Sequence, residues 1–166
     1  MISYKQLADF FGSPLNVADF QYFLSQTFPD ITEYDITNGD YMISEIRGIE
    51  LGFTNNEVVW DEDDGTVFEY GNPIFSHFTA YPKAHDLLTE LPFNIEFNDN
   101  RNGVFEKAGL PTQTREGYAD IMIKNFLVDN YKIDGTVFTI DYDPETFSIN
   151  FIQMRSNSLI VHLVIE

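Results

Sequence analysis

Three histidines, His77, His85 and His162, are the side chains in this sequence best suited to proton transfer or metal binding. Their positions support neither chemistry, because none of them has another histidine at the short interval typical of metal ligands. The sequence also contains no nucleophile elbow, phosphate-binding glycine loop, dinucleotide fingerprint or zinc-binding histidine helix. We therefore expect structural or surface histidines, no catalytic residues, no metal, no cofactor and no enzymatic activity, with an uncharacterised hydrolase as an alternative.

The run Asp61-Glu62-Asp63-Asp64-Gly65 is the other feature with a chemical meaning, because adjacent carboxylates can bind calcium. An EF-hand loop needs glycine at its sixth position and glutamate at its twelfth. Counting from Asp61, glycine falls fifth and the twelfth residue is Asn72. The run therefore does not match a calcium loop, and its charge needs another explanation.

The acidic run belongs to a wider excess of negative charge. The chain has 27 acidic and 9 basic residues, a formal net charge of -18. Such a charge repels nucleic acid and anionic membranes and favours a cationic protein as partner. Between positions 30 and 69 Arg47 is the only basic residue, and the acids there are Asp30, Glu33, Asp35, Asp40, Glu45, Glu50, Glu57, Asp61, Glu62, Asp63, Asp64 and Glu69.

Aromatic residues flank the acidic run, and buried aromatic anchors supply much of the binding energy of protein interfaces. One alternative is that the acids only keep the protein soluble and that the aromatic residues belong to the core. Another is a nucleic-acid mimic that inhibits a DNA-binding enzyme, which would space its acids regularly along one face. We predict a partner-binding surface made of Trp60, Asp61, Glu62, Asp63, Asp64, Glu69 and Tyr70.

Length and composition limit the fold that must position these residues. The chain has 166 residues, 43% of them hydrophobic, and can bury a core by itself, so we predict one domain over residues 1–166. It has no cysteine, which excludes disulfides and fits a reducing compartment. It has neither a basic-then-apolar leader nor an apolar stretch of about 18 residues. We expect a cytoplasmic protein without a membrane partner.

Hydrophobic spacing predicts a helix followed by strands in the first half. Ser13 and Pro14 are typical of a helix start, and phenylalanines and a leucine at helical spacing extend it over residues 14–28. Alternating and apolar runs then predict strands, with Asn55-Asn56 as a hairpin turn. The predicted strands are 41–47, 48–53, 58–60 and 66–70, with turns at Asp64-Gly65 and Gly71-Asn72-Pro73 and a connecting segment over 73–90.

The second half repeats this order in outline. Asn98 or Asp99 is expected to cap a short helix that ends at Ala108 before Gly109. Strands are predicted over 131–133, 136–142, 147–151 and 159–165, with Asp134-Gly135 as a turn. The fold prediction is α+β, a twisted antiparallel sheet with helices on one face. Either it contains two tandem helix-plus-three-strand units, over approximately 1–90 and 91–166, or hairpins simply follow helices without duplication.

Three segments resemble a known group of proteins: Leu7–Pro14, Gly48–Phe53, and Leu91–Arg101 with Ala108-Gly109-Leu110-Pro111. They resemble immunity proteins found beside bacterial polymorphic and contact-dependent toxins, in which Leu-Pro-x-x-Ile-x-Phe-x-x-(Ser/Asn)-Arg opens a short helix closed by Leu-Gly-x-Pro. This chain departs from that pattern by having Ala108 in place of the usual leucine. A weaker likeness links it to β-lactamase-inhibitor-like repeats. The resemblance implies a cytoplasmic antitoxin that occludes the active site of a cognate, basic toxin such as a nuclease, with the motif residues in structural roles.

Overall fold

The computed structural model describes residues 1–33, 41–61, 66–120, 123–159 and 164–165, with the side chains of residues 55–61 and 66–72 outside the description. The chain has an α+β fold, as the sequence predicts. The strands are β1 (Ile2–Ser3), β2 (Tyr41–Ser44), β3 (Ile49–Asp61), β4 (Thr66–Ala80), β5 (Leu88–Glu90), β6 (Gln113–Ala119), β7 (Lys124–Ile133), β8 (Thr136–Tyr142) and β9 (Ile149–Ser156). The helices are α1 (Tyr4–Ala8), α2 (Ala18–Thr27) and α3 (Arg101–Ala108), with short 3-10 turns at Pro82–Asp86 and Pro92–Asn94.

Seven strands form one antiparallel sheet in the order β2-β3-β4-β9-β8-β7-β6, while β1 and β5 pair in parallel beside it. The last strands that the two halves of the chain contribute to this described sheet, β4 and β9, meet at its centre, where His77 lies opposite Arg155. This arrangement is compatible with two tandem units, and the duplication stays a prediction that superposition of the halves would test.

All three helices pack on one face of the sheet. Phe20 of α2 places its ring 5.2 Å from that of Phe75 on β4, and Phe11, just after α1, lies 6.2 Å from Phe78. Phe20 and Leu24 are fully buried, as their helical spacing predicts. The core therefore lies between the helices and one side of the sheet.

The first helix predicted from the sequence begins later than expected. Pro14 forms an isolated bridge with Ile74 and is not the first helical residue, and α2 starts only at Ala18 after Val17. A second short helix, α1, was not predicted, although Ser3 and Gln6 form a reciprocal capping box at its start. The prediction of a helix over 14–28 was therefore correct about which side chains face the core and wrong about where the helix begins.

The predicted turn at Asn55-Asn56 is wrong, because β3 continues through it to Asp61. The pairing with β4 shifts between Asn55 and Glu57, so the pair forms an irregularity within a long hairpin instead of its end. The turn predicted at Gly71-Asn72-Pro73 is likewise wrong, since β4 runs through it. Pro73 is tolerated there because it lies opposite Asn55, next to the irregularity in the pairing with β3, and on its other side only its carbonyl is used, accepting from Leu15 N at 2.8 Å. The segment 73–90 is structured, holding the end of β4, a 3-10 turn and β5.

The second half agrees better with the sequence. Asn100 caps α3 by accepting from Gly103 N, one residue beyond the predicted caps, and Gly109 ends the helix with φ 76°. Asp134 and Gly135 both have positive φ and form the predicted turn between β7 and β8. Strand β6 was missed, and the strand predicted over 159–165 lies mostly outside the described residues.

Candidate functional site

The face of the large sheet that the helices leave uncovered is polar, and we call it the helix-free face. Side chains alternate along each strand, so the residues in register with Arg155 and Gln153 point away from the core. A row of hydrogen bonds crosses this face. Asn130 Nδ2 donates to Gln113 Oε1 (3.3 Å), Thr139 Oγ1 donates to Asn130 Oδ1 (2.6 Å) and Gln153 Nε2 donates to Thr79 Oγ1 (3.2 Å). The row gives the face a floor of amides and hydroxyls.

At one end of the sheet lies a cleft of about 840 Å³, which we call the acidic cleft. Its walls combine aromatic and other apolar side chains with three carboxylates and the ammonium of Lys124. This mixture is typical of a surface that receives a cationic group. The aromatic and charged lining residues are Tyr81, Tyr118, Phe126, Tyr142, Phe151, Lys124, Asp141, Asp143 and Glu145.

Asp141 is the most constrained carboxylate of the acidic cleft. It lies on β8 in register with Phe151 of β9, and its Oδ1 accepts a hydrogen bond from Asn150 Nδ2 at 2.8 Å. Burial raises the pKa of Asp141, while the Asn150 hydrogen bond and the charge of Lys124 pull it in the opposite direction. Its ionised form is therefore under-solvated and would gain from a cation close by.

The aromatic wall of the cleft is held by a second carboxylate. The rings of Tyr81 and Phe151 lie 6.0 Å apart, and the Tyr81 hydroxyl donates to Glu50 Oε1 at 3.0 Å. Burial and this hydrogen bond to Glu50 raise the pKa of Tyr81 to about 12, so it stays a neutral donor. The contact fixes the Tyr81 ring, which reduces the entropy lost when a ligand packs on it.

The rim of the cleft is the loop after β8. Asp143 Oδ1 accepts backbone hydrogen bonds from Glu145 N (2.9 Å) and Thr146 N (2.7 Å), and these lower the pKa of Asp143. Phe147, with φ 58°, closes the loop by donating its N–H to Asp143 O at 2.8 Å. The rim thus presents fixed negative charge beside the half-buried Asp141.

A second depression on the helix-free face, which we call the cationic pocket, has the opposite charge. It measures about 600 Å³, and its charged lining residues are Arg115 and Arg155. Arg155 is only 6% exposed, and its Nη1 is buried without a hydrogen-bond partner. The other lining side chains from the described sheet strands are Gln113, Val128, Asn130, Thr139 and Gln153.

The two described histidines lie in different surroundings. His77 is 8% exposed, and its Nδ1 lies 2.9 Å from Ser76 Oγ in a buried pair. Burial, together with the charge of Arg155, lowers the pKa of His77 to about 4. His85 is exposed beside Asp86 (3.1 Å) and shares a mostly apolar groove of about 580 Å³ with Glu96. Within the described residues, no group of three or more His, Asp or Glu side chains could hold a metal ion.

The predicted partner-binding residues lie on the β3–β4 hairpin. Trp60 and Asp61 end β3, and Glu69 and Tyr70 lie on β4, with Trp60 opposite Val67. Their side chains, and the whole of Glu62, Asp63 and Asp64, lie outside the described residues. Their role in binding therefore stays a prediction. Residues 55–61 and 66–72, which we call the hairpin arm, extend over roughly 20 Å of strand. In the described sheet they pair with each other, except that Asn55 lies opposite Pro73.

The acidic cleft was missed by the sequence analysis. Its residues come from four separate strands and three connecting segments, so no local pattern gathers them. The run Asp141-Tyr142-Asp143-Pro144-Glu145 places acids and an aromatic residue together, but the sequence analysis used it only as the end of the strand predicted over 136–142. That run was the one sequence signal that could have indicated the cleft.

Comparisons with known proteins give no family. No protein-family model and no curated protein sequence matches the chain. One solved structure is similar, a DUF4309 family protein (YjgB) from Bacillus subtilis, with 7% identity, a TM-score of 0.49 and 92% of each chain covered. None of the helices in the described part of the chain has the length and hydropathy of a membrane span.

Proposed function

We propose that this protein is a cytoplasmic, non-catalytic antitoxin that binds a cationic protein toxin in a stoichiometric complex and blocks its active site. The observation that carries the proposal is the acidic cleft, where the half-buried carboxylate of Asp141, in register with Phe151, shares one lining with the rings of Phe151 and Tyr81. Immunity proteins beside bacterial toxins, which the sequence resembles, act in this way.

A cationic side chain is the group that best suits the cleft. Placing a lysine or arginine next to Asp141 would neutralise a carboxylate that burial disfavours. The faces of Tyr81 and Phe151 would contribute a cation–π contact, worth about 1 kcal/mol at a partly exposed site. Asp143 and Glu145 at the rim would hold the remaining positive charge of the partner.

The partner is expected to be a protein because the negative charge extends far beyond the cleft. A net charge of -18 attracts a cationic protein over distances of about 10 Å in physiological salt, and this attraction raises the association rate. The hairpin arm carries Glu57, Asp61 and Glu69 along its strands and ends in the Asp61–Asp64 run. We propose that the arm steers the toxin and makes a second contact, while the cleft anchors it.

The proposal is tested with the basic C-terminal domain of a secreted toxin encoded beside this gene, expressed with and without this protein. We expect one-to-one co-purification, restored growth of the producing cells, and an association rate that falls with added salt. Asp141→Arg should remove protection. The matched reversal Glu106→Arg, on α3 at the opposite face, should keep it.

Two results would overturn the proposal. One is an Asp141→Arg protein that folds and protects as well as the parent chain, which would remove the cleft from the mechanism. The other is the absence of any complex with the neighbouring toxin domain at low salt. A complex with a DNA-binding enzyme in place of the toxin would favour the nucleic-acid mimic instead.

A further inference from the structure

Among the described residues, the guanidinium of Arg155 has no counter-charge of the kind that a buried cation normally has. It lies on β9 between His77 of β4 and Val137 of β8, and its Nη1 is shielded from solvent without a hydrogen-bond partner. Burial lowers the pKa of Arg155. A buried charge without a partner is expensive, so an anionic ligand that paired with this guanidinium would gain binding energy.

Nothing in the described lining of the cationic pocket supplies that counter-charge. The lining contains no carboxylate among its described residues, and its second charged group, Arg115, is also a cation. His77 cannot supply it, because its imidazole is neutral or positive. In a chain with 27 acids and 9 bases, two arginines in one pocket of amides and hydroxyls are a marked local reversal of charge.

We propose that the cationic pocket binds a carboxylate group, which pairs with Arg155 and is completed by Arg115. The planar guanidinium matches the two oxygens of a carboxylate. The side-chain amides of Asn130 and Gln153 line the same pocket and could hydrogen-bond to the rest of a polar ligand that carries the carboxylate. This inference does not depend on the antitoxin proposal.

Charge and size narrow the ligand further. The overall charge of -18 repels multiply charged anions such as oligonucleotides more strongly than it repels a single carboxylate. A pocket of about 600 Å³ is within the range that holds small molecules, roughly 300–1,000 Å³. The carboxylate belongs either to a free small acid or to the C-terminus of a polypeptide, and both have the same pairing chemistry.

The test is a titration of the full-length protein followed by NMR of the Arg155 Nε–H and of the Asn130 and Gln153 side-chain amides. The probes are N-acetylglycine, a tetraglycine peptide with a free C-terminus, the same peptide amidated, and inorganic phosphate. Both free carboxylates are expected to shift these signals, and the amidated peptide is expected to leave them unchanged. If N-acetylglycine binds more tightly, the natural ligand is a small acid, and if tetraglycine binds more tightly, it is the C-terminus of a polypeptide.

Variants separate binding from folding. Arg155→Met should lower the affinity for the carboxylate probes at least about tenfold. If that variant does not fold, Arg115→Gln, at an exposed position on β6, provides the same readout with a smaller loss. Lys132→Gln, exposed on β7 and outside the pocket lining, is the charge-matched control and should bind as the parent does. Shifts by phosphate alone, equal binding of the amidated peptide, or no shift with any probe would each overturn the proposal.

Discussion

Gly52 and His77 lie directly opposite each other on β3 and β4, and the imidazole occupies the space where any other residue at position 52 would place its Cβ. A Cβ on Gly52 would lie 2.0 Å from His77 Cε1 and 2.1 Å from Nε2. The ring is held there by Ser76 Oγ on one side and by the edge of Tyr41, at 5.6 Å between centroids, on the other. The glycine is thus a requirement of packing between two central strands.

Gly52→Ala should destabilise the protein by about 3 kcal/mol, because the clash falls on a ring that its neighbours hold in place. The measurement is chemical denaturation of the single variants and of Gly52→Ala/His77→Ala. We expect a favourable coupling of about 2 kcal/mol in the double variant. Gly103→Ala is the control, since the nearest atom to its Cβ would be Asp99 Oδ1 at 3.4 Å, an ordinary contact. This substitution should be neutral or mildly stabilising. Equal losses at both glycines would contradict the packing argument.

His77 should make the fold sensitive to acid. Its pKa is about 4 in the folded protein against 6.5 for a free histidine, so the folded state disfavours the protonated ring. The stability it contributes is complete above pH 6.5 and is lost as the pH falls to about 4, with a total near 3 kcal/mol. His77→Gln should flatten the pH dependence of the unfolding free energy in this window. An unchanged slope would show that another group causes the acid sensitivity.

Arg101 and Asp129 form the ion pair that joins α3 to the sheet. Arg101 Nε and Nη2 donate to the two carboxylate oxygens at 2.8 and 2.9 Å, and Thr114 Oγ1 donates to Oδ1 at 2.6 Å. Asp129 is fully buried, so Arg101→Met would leave an uncompensated charge and cost about 3–5 kcal/mol.

A more exposed ion pair on the same helix provides the control for this experiment. Lys107 pairs with Asp99 at 2.7 Å, and Lys107→Met should cost less than about 1 kcal/mol. The two variants are compared by urea denaturation under the same conditions. A loss for Lys107→Met as large as that for Arg101→Met would show that α3 is sensitive to any change of charge.

Charge reversal in the hairpin arm tests its steering role. Asp61→Lys/Asp63→Lys/Asp64→Lys should slow association with the cationic toxin by about tenfold at low salt, since long-range attraction acts mainly on the on-rate. It should also reduce the dependence of that rate on salt. Stopped-flow association measures both, and Asp9→Lys/Asp19→Lys/Glu106→Lys, near the helices, is the control for total charge. Unchanged kinetics would remove the arm from the interface.

Local patterns in the sequence predicted the elements whose causes are local. Three predictions were correct because each depends only on neighbours in the chain. They are the buried alternation of Ile49, Leu51 and Phe53, the turn at Asp134-Gly135 and the end of the helix at Gly109. The turn at Asn55-Asn56 was wrong because long-range pairing with β4 outweighed the turn preference of asparagine.

The candidate site could be found only in the three-dimensional structure. Asp141, Tyr81 and Phe126 line one cleft because the strand order brings residues from distant parts of the sequence together. The pairing of Arg101 with Asp129 spans 28 positions and likewise has no local signal. Charge and aromatic content predict a cationic protein partner, which stays a prediction, whereas the place of the cleft on the sheet depends on topology.

Asp141→Asn should separate binding from stability. Because burial raises the pKa of Asp141, its ionisation opposes folding, and this cost grows as the pH rises from 3.8 through its folded pKa. The amide keeps the shape and can still accept from Asn150, so the variant should melt at the same or a higher temperature at neutral pH. Its affinity for the toxin should nevertheless fall about tenfold, because a cationic side chain loses its counter-charge. Thermal denaturation and calorimetric titration measure the two effects, and Glu106→Gln is the control. A variant that loses stability and affinity together would mean that Asp141 supports the fold and does not serve the partner.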